Sequence, residues 1–317
     1  MKIALISFDN WGLNEGIAKV LKQDGHTVHH IDFHNFKYKY PSFYYKIYKS
    51  FLKVFFKKNI KNIYYGKEII KRLQQIGEKQ DLILTIKGDF IDKRYLKELK
   101  NHTKKSIGFF NDSATRCPKI KRVASAFDQT FSFEKEDCEK LGLKFAPNWI
   151  YEENRNRDDR DFEYKVFNIC SKDKRLPVLS KIITELKSKQ IDHKVIVLSK
   201  DDECPKSEIE FFFEKITLEE ISKYIEKSKS LLDIKRDGQF GLTFRIFESI
   251  GLEKKLITTN PDIVNYDFYN PNNILVIDEK NPEIPISFFE SDYVKLPEEI
   301  YQKYTIRGWI QNVLFHK

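Results

Sequence analysis

Between residues 230 and 260 the chain concentrates side chains that can hold an anion and a pair of hydroxyls. An apolar run, Ser230-Leu-Leu-Asp-Ile234, leads into Lys235-Arg-Asp-Gly-Gln-Phe-Gly-Leu-Thr243 and then Phe244-Arg-Ile-Phe-Glu-Ser-Ile-Gly251; Leu256-Ile-Thr-Thr-Asn260 follows closely. The outer runs read as strands, the stretch from Thr243 as a short helix, and residues 235–243 as a glycine-containing loop. A helix N-terminus offers unbonded backbone N–H groups and a positive dipole end to an anion such as a diphosphate. A carboxylate one or two turns further on can take two hydroxyls of a ribose. The segment therefore reads as a clamp for a nucleoside diphosphate, with Lys235, Gln239, Gly241, Leu242, Thr243, Arg245 and Glu248 as its residues. The plainer alternative is that Arg245 and Glu248 form an ordinary ion pair at helical spacing.

The same motif gives the chain its family likeness. Gly241-Leu-Thr-Phe-Arg-Ile-Phe-Glu248 with Leu256-Ile-Thr-Thr-Asn260 resembles the second domain of GT-B glycosyltransferases, above all bacterial enzymes of lipopolysaccharide core and surface-polysaccharide synthesis. The likeness is specific over residues 230–262 and architectural elsewhere. It implies an α/β fold of two Rossmann-like domains whose parallel sheets face a central cleft, with a last helix crossing back to the first domain. It also implies that Glu248 holds the donor ribose and that the loop and helix start face the donor phosphates. Phe240 stands where many relatives carry a second Glu, so contacts to the transferred sugar do not carry over from it.

The elements that must position these residues can be traced along the whole chain. At 317 residues it exceeds the size at which single cores stop growing, which implies two domains. Residues 1–155 and 162–297 form the two expected domains, joined by the charged stretch 151–161; the resemblance implies that the first binds acceptor, the second donor, and that a final helix over 298–317 packs back on the first. Strands are expected at 2–8, 26–33, 81–86, 106–110 and 129–133, then at 165–170, 193–198 and 210–213 ahead of the clamp. Helices are expected at 17–23, 69–80, 93–101, 176–189 and 218–228. Strands alternating with helices imply parallel pairing.

In open parallel sheets, ligands bind beyond the carboxyl ends of the strands. That rule selects Ser171, Lys172, Arg175 and Thr217 as further donor contacts, with Lys235 and Arg236 supplying countercharge to a departing diphosphate in place of a metal. In the first domain it selects Asp112, then Asp89, then Asp9 as the base that would deprotonate an acceptor hydroxyl. Turn or helix-cap duty is the commoner role of Asp at such places. Trp11 and Asn14 lie in the first of these loops and are taken as acceptor contacts.

The net charge of +9 is concentrated. Residues 37–67 hold nine Lys, no acid and eleven aromatic residues, so the rest of the chain sums to zero. Lys46, Lys49, Lys53 and Lys57 recur on one helical stripe beside Tyr44, Ile47, Tyr48, Phe51 and Phe55. Such a helix suits an anionic membrane surface or an anionic acceptor; the other reading is an aromatic stripe packed into the core with solvated lysines. No nucleic-acid signature accompanies it. No apolar run reaches the roughly 18 residues a spanning helix needs, and the expectation is a cytoplasmic protein held peripherally at the inner membrane.

The sequence offers no cofactor or metal signature. Cys117, Cys138, Cys170 and Cys204 are widely spaced, as reduced structural thiols are. His26, His30 and His34 share one face of a strand, but successive ones would stand roughly 13 Å apart along it, too far for one ion. With the resemblance, the sequence implies a metal-independent glycosyltransferase using a nucleotide-sugar donor and a lipopolysaccharide or other lipid-linked acceptor. A nucleotide-sugar epimerase of the same architecture, or a non-catalytic binder, is the alternative. Replacing Lys46, Lys49, Lys53 and Lys57 by Gln is expected to weaken binding to anionic liposomes by about 1 kcal/mol per residue at low salt, and by less as salt rises. Unchanged sedimentation with the liposomes would assign the stripe to a solvated face.

Overall fold

The computed structural model of the chain describes residues 1–38, 59–153, 162–199, 209–214 and 216–315. These form two compact units, Met1–Pro147 with Ile306–Lys317, and Asn148–Thr305.

The first unit runs β1 (Lys2–Ser7), α1 (Glu15–Gln23), β2 (Thr27–Asp32), α2 (Ile60–Ile76), β3 (Gln80–Ile86), α3 (Lys93–Glu98), β4 (Thr103–Phe110), α4 (Ile120–Val123), β5 (Gln129–Ser132), α5 (Lys135–Leu141) and β6 (Lys144–Phe145). Its sheet has the order β2-β1-β3-β4-β5-β6, with every pairing parallel. Parallel strands covered on both faces need near-continuous apolar sequence, and Ile3 to Ile6 are all fully buried. The core joins Ile6, Phe33, Leu73, Leu96, Phe110 and Phe127.

The second unit runs β7 (Tyr164–Ser171), α6 (Leu176–Ser188), β8 (His193–Leu198), β9 (Glu210–Phe212), α7 (Leu218–Glu226), β10 (Ser228–Asp233), α8 (Phe244–Gly251), β11 (Lys255–Thr258), β12 (Ile274–Val276) and α9 (Glu298–Tyr304). Its parallel sheet has the order β12-β11-β10-β7-β8-β9, so the direction of winding reverses between β7 and β10. Its core joins Val166, Leu179, Leu186, Val197, Leu232 and Ile257. The expected α/β class with two parallel sheets is what the structure has.

Several boundaries differ from the sequence expectation, each for a local reason. The helix expected over 69–80 is α2, which starts at Ile60 because the Asn59 side chain caps it, and ends at Gly77 in the left-handed region at φ 76°. Residues 60–67 of the basic aromatic segment are thus its first two turns; Lys46, Lys49, Lys53 and Lys57 lie outside the described residues. Close packing of α2 on α3 requires Gly66, where a Cβ would come within 2.3 Å of the Tyr95 ring. The single final helix expected from 298 is two. Thr305 is extended and its hydroxyl bonds the Gln302 carbonyl, which ends α9; α10 (Ile306–Leu314) then begins in the first unit, where Trp309 Nε1 donates to the Pro147 carbonyl at 2.9 Å. The expected linker does not begin at Tyr151, which belongs to the second unit, half-buried with its hydroxyl bonded to Glu248. The two-residue β6 and three-residue β12 are too short to leave a periodic signal.

Candidate functional site

In the second unit the loops after β7, β10 and β11 converge where the winding reverses. Arg175 opens α6. Its guanidinium takes the Asp173 carboxylate on two sides, Nε to Oδ1 at 2.9 Å and Nη2 to Oδ2 at 2.9 Å, while Nη1 donates to the Ile234 carbonyl at 3.0 Å. One side chain therefore ties the loop after β7 to the loop after β10. Arg236 approaches the same Asp173 carboxylate at 3.6 Å.

The start of α8 is held by a buried acid. Asp233, at the end of β10, accepts the Thr243 hydroxyl at 2.8 Å and the Thr258 hydroxyl at 3.2 Å. Burial raises its carboxyl above the ordinary range, opposed by those two hydroxyls and by Arg175. Thr243 therefore sits at the N-cap without capping the helix with its own side chain. Thr259 Oγ1 accepts the Lys235 N–H at 3.0 Å, and Asn260 Nδ2 donates to the Phe240 carbonyl at 2.9 Å. The Thr-Thr-Asn triplet thus pins both ends of the 235–243 loop. Within it, Gly238 takes φ 65° in a turn closed by the Gln239 N–H on the Arg236 carbonyl. Lys235 Nζ lies 3.6 Å from Glu279 and 5.7 Å from the ring centre of Phe240, whose side chain is exposed. Gln239 is buried with its Oε1 unbonded among the described residues. Leu242 is buried, and its carbonyl accepts Asn148 Nδ2 at 2.9 Å.

Glu248 is not the surface residue its motif suggests. It is 3% exposed on α8, paired with Arg245 and accepting the Tyr151 hydroxyl. Burial raises its carboxyl although Arg245 opposes the shift, and burial likewise raises the Tyr151 hydroxyl, with the Glu248 charge adding to it. Two of the roughly four acceptor positions of a carboxylate are then in use. A Cβ on Gly251 would come within 2.1 Å of the Glu152 carbonyl oxygen, so the end of α8 presses on the strip that carries Tyr151. Ser171 ends β7 exposed, and the Lys172 N–H bonds the Leu198 carbonyl at 2.8 Å. Thr217 stands apart: its hydroxyl and N–H form a capping box with Glu220 at the start of α7.

In the first unit the candidate acids behave differently from one another. Asp9 is a turn residue, accepting the N–H groups of Asn14 and Glu15 at 2.9 and 3.2 Å. Asn14 is buried ahead of α1, and Trp11 is half-buried in the same loop. Asp112 is held by two cations, Arg116 Nη1 at 2.6 Å and Lys87 Nζ at 3.2 Å. Lys87 itself has φ 62°, an uncommon conformation for a side chain bearing a Cβ. Asp89 is 7% exposed, and burial pushes its carboxyl up to about 6, with Lys87 opposing and Asp112 adding. A carboxyl tuned to that value is better matched to proton transfer near neutrality than an ordinary one.

The sequence reading missed Asp173, Asp233 and Tyr151. Asp233 had a visible signal: a single carboxylate inside an otherwise apolar strand must find buried partners. Among the described residues no helix is long and apolar enough to cross a membrane.

No protein-family model matches this chain, and no curated protein matches it. Its fold is similar to that of a glycosyltransferase involved in avilamycin A biosynthesis, with a TM-score of 0.57 and 10% identity over 98% of this chain and 95% of that one. It is also similar to Anabaena HepE in complex with UDP and glucose, with a TM-score of 0.56 and 9% identity over the full length of both chains. UDP-GlcNAc 2-epimerase from Methanocaldococcus jannaschii matches over the full length of both at a TM-score of 0.51 and 11% identity. At such identities the likeness establishes the fold, the two-sheet GT-B architecture shared by glycosyltransferases and this epimerase.

Two stability predictions follow from these environments. Glu248→Ala leaves the half-buried Arg245 and Tyr151 without this partner and is expected to cost on the order of 3 kcal/mol in urea unfolding; Tyr151→Phe, which removes one hydrogen bond, should cost about 1 kcal/mol. Equal, small losses would mean that the pair is solvated. For Asp89 the folded carboxyl at about 6 lies above its ordinary 3.8. The folded state therefore keeps a proton that the unfolded chain has released. That contribution is complete below 3.8 and lost as pH rises through about 6, on the order of 3 kcal/mol in all. Asp89→Asn should remove this fall from a pH series of unfolding measurements, and a variant with the wild-type slope would contradict the assignment.

Proposed function

We propose that this chain is a glycosyltransferase that moves a sugar from a nucleoside-diphosphate donor to a lipopolysaccharide or other lipid-linked glycan at the cytoplasmic face of the inner membrane. The observation that carries the donor half is the Arg175 bridge at the reversal of strand order, beside a loop pinned at the start of α8. Ligands of open α/β sheets bind at such reversals, and phosphates at helix starts. In this reading Ser171, Lys172, Arg175, Lys235 and Arg236 surround the diphosphate and stabilise it as it departs, without a metal ion. Glu248 offers its remaining lone pairs to the ribose, with Arg245 and Tyr151 fixing its orientation. The acceptor half rests on the lysine stripe of residues 46–57 and on Asp89, which we assign as the base ahead of Asp112. Asp112 is already held by Lys87 and Arg116, whereas Asp89 is tuned by burial.

Thermal unfolding in the presence of nucleoside diphosphates tests the donor site. A ligand at 100 times its Kd stabilises by ~2.7 kcal/mol. One nucleoside diphosphate is expected to raise Tm, and Arg175→Ala to abolish the rise; no response to any nucleotide would defeat the reading. With a responding nucleotide sugar, a new glycan on the acceptor marks a transferase, an isomerised sugar from donor alone marks an epimerase, and binding without turnover marks a binder. Asp89→Asn should keep nucleotide affinity and lower turnover about 10²-fold or more.

A further inference from the structure

Lys87 has a backbone that residues bearing a Cβ rarely adopt. It follows β3 at φ 62° and ψ 44°, in the left-handed region, and directly precedes the short turn Gly88–Phe90. Both sides of its backbone are held: its N–H donates to the Phe109 carbonyl at 3.2 Å, and its carbonyl accepts the Phe90 N–H at 3.2 Å. Glycine would relieve the strain at this position. A lysine there directs attention to its side chain, because strained backbone concentrates at functional sites.

That side chain is held as well. Lys87 Nζ lies 3.2 Å from Asp112 Oδ2, while Arg116 Nη1 takes Asp112 Oδ1 at 2.6 Å. Lys87 and Asp112 are both half-buried. Asp89 stands two residues along the chain from Lys87 and is 7% exposed. The Lys87 charge opposes the rise that burial gives the Asp89 carboxyl, and the Asp112 charge adds to it. One ammonium therefore acts on Asp89 twice: directly as a cation, and by offsetting the carboxylate whose charge would hold the proton on Asp89 more tightly.

The other groups that face Asp89 come from several elements. Lys119, ahead of α4, also opposes the rise, less than Lys87 does, and is exposed. The Cys117 thiol, beyond β4, is pushed up to about 11, chiefly by burial, and so carries no charge near neutrality. Asp92, Lys93, Arg94 and Arg122 line the cavity beside Asp89, where Arg94 Nε is bonded to Asp92 at 3.0 Å and Lys93 Nζ to the Ser125 hydroxyl at 3.2 Å. From α2 it is the neutral Asn62 amide that arrives, donating to the Asp89 carbonyl at 3.0 Å.

We infer that Lys87 is a positioning residue: its left-handed backbone and its ion pair with Asp112 hold an ammonium beside Asp89, and this charge sets how readily Asp89 gives up its proton. Calling Asp89 the base of a transfer rests on the transferase reading; the placement of the charge does not.

The test is a carboxyl ¹³C NMR titration of the full chain, with Asp89→Asn identifying the Asp89 signal. Lys87→Asn separates charge from backbone, because Asn tolerates the left-handed region. Its Asp89 midpoint should lie at least about half a pH unit above the wild-type value, a modest effect for a neighbouring cation because Lys87 is only half-buried. Lys87→Arg, which keeps the charge, should titrate like wild type. Asp112→Asn, which leaves the turn untouched, should move the midpoint downward. No rise in Lys87→Asn, the same rise in Lys87→Arg, or no fall in Asp112→Asn would overturn the placement. With a glycan acceptor being turned over, the acidic limb of the rate–pH profile should move up with the midpoint in Lys87→Asn. A limb that stays while the midpoint moves would overturn Asp89 as the base and uphold the placement of Lys87; nucleotide response in the second unit tests donor binding separately.

Discussion

Asp233 lies at the end of a central strand, out of reach of water, and accepts hydroxyls from Thr243 at the head of α8 and Thr258 on the next strand. Leaving a carboxylate dry is expensive unless its lone pairs are filled, so these two bonds are constrained to form together. Once they do, the start of α8 is fixed against the sheet, the loop from Lys235 has both ends set, and Arg175 finds the Ile234 carbonyl within reach. The clamp geometry therefore depends less on the helix itself than on the buried acid beneath it.

This explains why the most informative sequence motif had two parts separated by a strand. Gly241 to Glu248 supplies the helix, and Thr258, Thr259 and Asn260 supply the bonds that seat it. The first part was readable from helix-start chemistry; the second was noticed only by likeness, because hydroxyl-to-loop bonds between distant residues leave no periodic trace. The long buried strands were legible from their apolar runs, as at His193–Leu198, where expectation and structure coincide. β12, whose three residues are set by pairing with β11, was not.

The acids show where local reading stops. Asp9, Asp89 and Asp112 all follow strands, and the sequence puts Asp112 first among them as a base. Packing separates them: one closes a turn, one is bound by two cations, and one is buried with a carboxyl moved toward neutrality. Glu248 lies on the expected helix, but its burial is not visible from helical spacing. Its partner Tyr151 lies 97 residues away, in a stretch whose charge had marked it as a linker.

The contact between Gly251 and the Glu152 carbonyl links these observations mechanically. With no side chain to act as a cushion, the tail of α8 and the strip from Asn148 to Glu152 meet backbone to backbone. Asn148 grips the Leu242 carbonyl ahead of the helix, Tyr151 bonds Glu248 within it, and Glu152 abuts its last residue. The strip thus splints the helix along its length. A ligand that tilted α8 would have to move the strip with it, and so would register as far back along the chain as Asn148.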